Sequence, residues 1–369
     1  MRLTLLGSTI AVGAACLGCG SRTQLEVIGS SSNPGGDAGD AGTGLCGKTP
    51  RLVATTPSNL AVAPGAPVDV VSMLTNAGTV FWTASSTTGT QTAGGVYSAP
   101  LAGGSAFELG RTTLAPMPLP MFVQPPDVIV SYQIPSTSTQ LVSGSLVTGG
   151  LAYALGNLQG LDAIASDGSY LYLNVTGSIK RGQSNGLGVL DMVTQTGVIS
   201  GGLVVDASSV YWLEYQLERD TWSLLLQRAD KTPGARPSTV STLLMGGMTQ
   251  PSLPVPAELV ADDTNIYWLE GGGALPRGIT IAPKNGGTAL ANPFGSSTTN
   301  PRTLVLADGA LYFIADDGIH RSATPSGTTD LVLATDGTML AGLAVDANDI
   351  YWGTQGPNSS SGSVYCISK

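Results

Sequence analysis

Leu203-Val204-Val205-Asp206-Ala207-Ser208-Ser209-Val210-Tyr211-Trp212 returns in pattern as Leu259-Val260-Ala261-Asp262-Asp263-Thr264-Asn265-Ile266-Tyr267-Trp268. It returns again as Leu343-Ala344-Val345-Asp346-Ala347-Asn348-Asp349-Ile350-Tyr351-Trp352. Each copy is an apolar strand, an Asp, a short polar turn, and a second strand that opens on aromatics. A shorter turn gives Leu306-Ala307-Asp308-Gly309-Ala310-Leu311-Tyr312-Phe313, and a variant gives Ile164-Ala165-Ser166-Asp167-Gly168-Ser169-Tyr170-Leu171-Tyr172. Upstream lie Asn76-Ala77-Gly78-Thr79-Val80-Phe81-Trp82 and a faint copy, Asp127-Val128-Ile129-Val130-Ser131-Tyr132. The first aromatics fall at 81, 132, 172, 211, 267, 312 and 351, a mean step of 45 residues. Trp82, Trp212, Trp268 and Trp352 share one slot and are four of the five tryptophans, so the repeat is not a chance of composition.

A period of about 40–50 residues with several short strands per unit is that of a propeller blade. The expected fold is therefore all-β, a β-propeller of about seven blades, with six or eight also compatible. In each turn the Asp or Asn can accept backbone N–H bonds and tighten the hairpin. Side chains alternate faces along the second strand, so Tyr and Trp are expected to pack against opposite neighbouring blades. Third strands follow in Gly95-Val96-Tyr97, Gly278-Ile279-Thr280, Gly318-Ile319-His320 and Gly362-Ser363-Val364-Tyr365-Cys366; Asp330-Leu331-Val332-Leu333-Ala334-Thr335 reads as a fourth. The last copy has no fourth strand after it, and Arg51-Leu52-Val53-Ala54-Thr55 resembles the 330–335 segment. The expectation is a ring closed by residues 51–55 beside residues 363–367, which removes exposed sheet edges.

Cys46 just precedes that closing strand and Cys366 lies in its expected neighbour. A disulfide between them is permitted outside the cytoplasm. Closing so long a loop is worth about 3–5 kcal/mol by chain-entropy arguments. The alternative is two unpaired buried thiols.

Composition narrows the function classes. Only 11% of residues are charged, while 50 glycines and 23 prolines punctuate the chain. A net charge of −9 with 16 Lys and Arg and no basic run excludes a sequence-independent grip on nucleic acid. One histidine, His320, cannot supply a His-rich metal site, and zinc-type Cys/His spacings are absent.

Residues 1–19, MRLTLLGSTIAVGAACLGC, carry Arg2, a short apolar stretch and small residues before Cys19. This resembles the lipobox of bacterial lipoproteins, whose cysteine thiol receives diacylglycerol and becomes the first mature residue. The pattern departs at position −3, where Cys16 replaces the usual Leu; Cys16 as acceptor and plain secretory cleavage are the alternatives. The resemblance implies an outer-membrane lipoprotein in a bacterial cell envelope, facing the periplasm or the cell surface. The chain then divides into a signal peptide at 1–18, a lipidated Cys19 with a Gly/Ser/Asp/Ala tether to residue 49, and a propeller over 50–369. The tether has almost nothing to bury and reads as a flexible spacer. The Tyr-Trp copies are similar to the Tyr-Trp-Thr-Asp class of the LDL-receptor-like propellers and to repeats of Gram-negative lipoproteins. The Thr-Asp half of that signature is missing after every Tyr-Trp, so the resemblance implies fold and no activity.

Three features carry candidate chemistry. Glu214 and Glu270 both follow Tyr-Trp-Leu, and paired carboxylates are the minimum for acid/base glycoside chemistry. The turn acids Asp262-Asp263, Asp316-Asp317 and Asp346/Asp349 offer oxygens to Ca²⁺, though none forms an Asp-x-Asp-x-Asp-Gly loop. His320 follows Asp316-Asp317, an Asp–His arrangement that could orient a general base but has no nucleophile beside it, so an ordinary exposed strand histidine is the favoured reading. Two insertions, Gln216–Gly247 with Trp222 and Asn292–Pro301, read as long loops of a binding face. The favoured expectation is a membrane-tethered, non-catalytic module binding a protein, peptide or glycan, without a cofactor. The alternative is an exported carbohydrate enzyme with Glu214 and Glu270 as acid and base.

Overall fold

A computed structural model describes residues 44–369, apart from 113–121, 146–150, 184–189, 247–257, 294–299, 324–328, 356–361 and several turns of one to four residues. Cys19 and the residues up to 43 lie outside the described residues. Strands dominate, and the one helical element among the described residues is a 3₁₀ turn, Ser58–Leu60. Among the described residues no helix is long and apolar enough to cross a membrane.

The strands form seven successive antiparallel sheets. Six are regular and four-stranded. Blade 1 comprises Val68–Asn76, Thr79–Thr88, Gln91–Pro100 and Phe107–Thr112. Blade 3 comprises Leu161–Ser166, Tyr170–Val175, Ser178–Gln183 and Leu190–Thr194. Blade 4 is Val198–Val205, Ser209–Glu218, Thr221–Asp230 and Ser238–Gly246. Blade 5 is Leu259–Ala261, Asn265–Gly272, Leu275–Pro283 and Leu290–Ala291. Blade 6 is Arg302–Ala307, Ala310–Ala315, Gly318–Ala323 and Thr329–Ala334. Blade 7 takes Met339–Val345, Asp349–Gln355 and Ser363–Ser368 from the C-terminal end and Arg51–Thr55 from the N-terminal end. The remaining sheet spans Phe122 to Leu158, at the faint copy, and is irregular, with two short strands sharing one neighbour. The period thus yields six regular blades, and the sheet at the faintest copy is the irregular one.

First strands of neighbouring blades pack on each other from blade 3 through blade 7 and on to blade 1, so they are innermost. The alternation of Tyr and Trp places the core in the seams between blades. Tyr211 packs forward with Trp268, Ile266 and Leu259 of blade 5, while Trp212 packs backward with Tyr172 and Ala163 of blade 3. Tyr267 and Phe313 share the seam of blades 5 and 6; Tyr312 and Trp352 share that of blades 6 and 7. Tyr351 and Trp82 share the closing seam of blades 7 and 1.

Closure is by the expected pair of strands. Arg51 lies opposite Cys366, Leu52 opposite Tyr365, Ala54 opposite Val364 and Thr55 opposite Ser363. Cys46 and Cys366 form a disulfide, Cα–Cα 5.7 Å, buried within the closing seam. Residues 44–48 are held as well: the N–H groups of Leu45 and Cys46 donate to the buried Asp349 carboxylate, and Ser368 N–H donates to Gly47 O. At Gly353 a Cβ would sit 2.4 Å from Val70 Cβ, so glycine there lets blade 1 approach blade 7.

The expectation of a long loop at Gln216–Gly247 is corrected. The segment is a long hairpin, Ser209–Glu218 with Thr221–Asp230, followed by the fourth strand Ser238–Gly246. Its Leu224, Leu226 and Trp222 alternate onto one buried face, and Trp222 meets Tyr215 edge to face at 6.3 Å. Most of Asn292–Pro301 lies outside the described residues.

Candidate functional site

The repeated Asp builds a polar arrangement that recurs around the ring. Asp206 Oδ1 accepts the N–H groups of Ser208 and Ser209, and its Oδ2 accepts Tyr211 OH at 3.1 Å. Asp167 does the same with Ser169, Tyr170 and Tyr172 OH (2.9 Å). Asp262 uses Thr264, Asn265 and Tyr267 OH (2.6 Å), and Asp346 uses Asn348, Asp349 and Tyr351 OH (3.0 Å). One carboxylate therefore caps the turn and fixes the tyrosine five residues on. The short turn at Asp308 works differently: Asp308 and Gly309 both take positive φ, the geometry of a two-residue hairpin. In blade 1 the pair Ala77-Gly78 takes that role, and Asn76 ends the first strand opposite Thr79.

Three lysines reach these turn acids from the next blade. Lys231 Nζ of blade 4 lies 2.7 Å from Asp167 Oδ2 of blade 3, and Lys284 Nζ of blade 5 lies 2.9 Å from Asp206 Oδ2 of blade 4. Lys369 of blade 7 pairs with Asp308 of blade 6. Each ammonium also sits over the tyrosine ring of the blade it reaches, at 5.6, 5.4 and 5.5 Å from Tyr172, Tyr211 and Tyr312. Arg181 NH1 holds the backbone oxygen of Lys231 at 2.6 Å, fastening the same seam twice.

The electrostatics follow. Burial alone would push the Asp206 carboxyl up, but the N–H groups of Ser208 and Ser209 and the Lys284 ammonium outweigh it and hold it at about 2. At Asp167 burial is likewise outweighed by Lys231 and the turn N–H groups, and at Asp262 by the Tyr267 hydroxyl and the turn N–H groups, so both carboxyls lie below the usual range. Burial, then the adjacent carboxylates, push Tyr172, Tyr211 and Tyr351 above their ordinary 10.0.

The sequence candidates stand on blades 4 to 7. Glu214 is buried, on the face of blade 4 that carries Trp212 toward blade 3. Glu270 sits opposite Gly278 in blade 5, and its side chain lies outside the described residues. The acids weighed for Ca²⁺ are distributed over three blades and bonded locally. Asp316 takes Asn300 and Arg302, Asp317 takes His320, and Asp349 takes Ser368 and the N-terminal segment, while Asp263 is exposed. Among the described residues no group of three or more His, Cys, Asp or Glu side chains is placed to hold a metal ion.

His320 has a structural assignment. It lies opposite Phe313 and stacks on it, centroids 5.2 Å apart and planes 6° apart. Tyr97 stacks on Trp82 and Tyr365 on Trp352 at the same cross-strand positions. His320 therefore occupies the slot of a repeat aromatic. Its Nε2 meets Asp317 Oδ1 at 2.8 Å, while Nδ1 is buried and has no hydrogen-bond partner among the described residues.

No family model and no curated protein matches this chain. Solved structures do. The fold is a β-propeller. The β-propeller domain of the trilobed protease from Pyrococcus furiosus aligns with a TM-score of 0.51 at 8% identity, covering 78% of this chain and 92% of that one. The N-terminal domain of Nup159 aligns with a TM-score of 0.51 at 10% identity, covering 87% and 97%. Acylaminoacyl peptidase from Pyrococcus horikoshii aligns with a TM-score of 0.50 at 10% identity, covering 78% of this chain and 49% of that one. The likeness shows the fold alone. The trilobed protease domain has an open velcro topology, whereas here an N-terminal strand closes the last blade.

Sequence reading missed the lysines. Their signal was present: Lys231, Lys284 and Lys369 each stand three residues past the residue opposite the second-strand tyrosine of their own blade.

Proposed function

We propose that this chain is a lipid-anchored envelope β-propeller that serves as a non-catalytic binding or scaffold module for a protein, peptide or glycan. The observation that supports the reading is the use made of the polar side chains. The repeat acids cap turns and hold lysines across seams, and His320 fills a stacking slot. These contacts make a stiff ring, the kind of scaffold on which loops serve recognition. The anchor rests on the residues before Cys19, and kinship with Tyr-Trp-Thr-Asp propellers rests on the repeated Tyr-Trp.

Three measurements test this reading. Metabolic labelling with an alkyne fatty acid is expected to mark the wild type and not Cys19→Ala; equal labelling overturns the anchor. Cross-linking on intact envelopes is expected to yield a reproducible partner, and its absence overturns the binding module. A glycan panel is expected to show no turnover by wild type; turnover that disappears in an E214Q/E270Q variant would establish the carbohydrate-enzyme reading instead.

A further inference from the structure

The N-terminal segment meets the ring before its closing strand begins. Residues 44–48 run against the end of blade 7, and Arg51–Thr55 follows as the outermost strand of that blade. Hydrogen bonds and the disulfide hold this entry. Leu45 N–H donates to Asp349 Oδ2 at 2.9 Å and Cys46 N–H to Oδ1 at 3.4 Å. Ser368 N–H donates to Gly47 O at 2.7 Å, and Lys48 Nζ donates to Lys369 O. A Cβ on Gly44 would collide with Asp349 Oδ1, so glycine lets the chain lie this close to the carboxylate. Asp349 is 1% exposed, and Ser209 and Asn265 hold its place in the turns of blades 4 and 5. Blade 7 thus carries an extra acid there, and the N-terminal segment uses it.

We propose that residues 44–48 form a mechanical clamp, which carries a pull from the N-terminal side into Cys366 and Asp349 and leaves the closing strand unloaded. The topology carries this. Arg51 opens the closing strand opposite Cys366, and the strand runs on to Thr55 opposite Ser363. Without the clamp, a pull toward residue 44 would load the Arg51 end first and peel the ladder pair by pair. Forced unfolding follows the rate of opening, and bonds opened singly open faster than bonds loaded together. The closing strand has one neighbour in its sheet and a break in register between Leu52 and Ala54, so peeling meets little resistance. Cys46, however, is bonded to Cys366 five residues before Arg51. Force crosses there into Ser363–Ser368, the inner neighbour of the closing strand, and residues 47–55 fall outside the load path. Asp349 opens the next strand inward, so its carboxylate shares the load with a second strand of the blade.

The clamp goes beyond the binding-module reading and does not rest on it, since a pull of any origin on the N-terminal side meets the same contacts. Optical-tweezers extension of the full chain tests it. One handle is placed at Ser21 and the other at Arg236, an exposed residue between the last two strands of blade 4, both without cysteine chemistry. Oxidised wild type is expected to unfold with no early step. Cys46→Ser with Cys366→Ser, or wild type in reductant, is expected to release residues 46–55 first, at lower force, as a step of about 35 Å. Adding Asp349→Asn to the serine pair is expected to lower the force of that step further. An early step of that length in oxidised wild type, or its absence from both the serine pair and the reduced chain, overturns the clamp. A step force unchanged by Asp349→Asn overturns the share given to that carboxylate. Neither result bears on the envelope cross-linking, so the two readings fail separately.

Discussion

Lys231 Nζ lies 2.7 Å from Asp167 Oδ2 across 64 residues of sequence and one blade of the ring. The contact joins two turns that neither blade completes alone. It recurs between Lys284 and Asp206, at a separation of 78 residues. A propeller blade cannot bury its own faces, so its stability resides in the seams, and these latches fix the seams at their polar edge.

Removing a latch is expected to weaken the ring measurably. Lys231 and Asp167 side chains are 17% and 13% exposed, so the pair is shielded more than a surface ion pair. Lys231→Met should destabilise by about 1–2 kcal/mol, the range for a charge-assisted bond at a partly buried site. A double-mutant cycle with Asp167→Asn, read by urea unfolding, should show a coupling of about 1 kcal/mol. Additive effects would mean that the two side chains do not cooperate.

Acid should loosen the same seams. The Asp206 carboxyl is held at about 2 in the folded chain against an ordinary 3.8. A depressed folded value contributes stability that is present above 3.8 and is lost as pH falls toward 2. After solvent screening of this half-buried pair, the contribution is about 1 kcal/mol. Asp206→Asn should therefore be less stable than wild type at neutral pH and converge with it near the bottom of that window. Parallel stability curves from pH 6 to pH 2 would contradict the assignment.

A stabilising substitution is also expected. Asn174 is fully buried in blade 3, and neither its Oδ1 nor its Nδ2 has a hydrogen-bond partner among the described residues. Blades 4 and 5 place buried leucines, Leu213 and Leu269, at the equivalent position two residues past the repeat tyrosine. Asn174→Leu should stabilise by about 1–2 kcal/mol by removing an unsatisfied amide from an apolar seam. A lower melting temperature in calorimetry would show that the amide is needed.

The closing seam should be the most sensitive to covalent change. Cys46→Ser with Cys366→Ser opens a loop of 320 residues and should cost about 3–5 kcal/mol in reversible unfolding. The folded ring should persist, because Arg51–Thr55 still pairs with Ser363–Ser368. Loss of the β-sheet spectrum in the double variant would mean that the strand cannot close the ring without the bond.

The repeat and its closure were legible because their information is local. Asp206 and Tyr211 stand five residues apart, and the strand period fixes which way Tyr and Trp face. The closing strand was legible because residues 51–55 share a pattern with residues 330–335. The lysine latches were not, since each lysine and its acid belong to different blades and meet only when the ring forms. His320 reads from sequence as an ordinary exposed strand histidine, yet it is buried, and its position opposite Phe313 matches Tyr97 opposite Trp82. The hairpin around Trp222 read as a loop because its ten-residue strands run well past Tyr211-Trp212, beyond the stretch that the repeat phrase covers. Sheet pairing, not composition, distinguishes a lengthened strand from an inserted loop.

The account depends most on a ring fastened where its two ends meet, with Cys46 bonded to Cys366 beside the pairing of Arg51 with that same cysteine. Peptide mapping by mass spectrometry under non-reducing conditions tests this directly, with free thiols alkylated before unfolding and again after it. The predicted result is one disulfide-linked peptide pair containing Cys46 and Cys366, with neither cysteine alkylated until reductant is added. Alkylation of both cysteines in the unfolded, unreduced chain would contradict the closure.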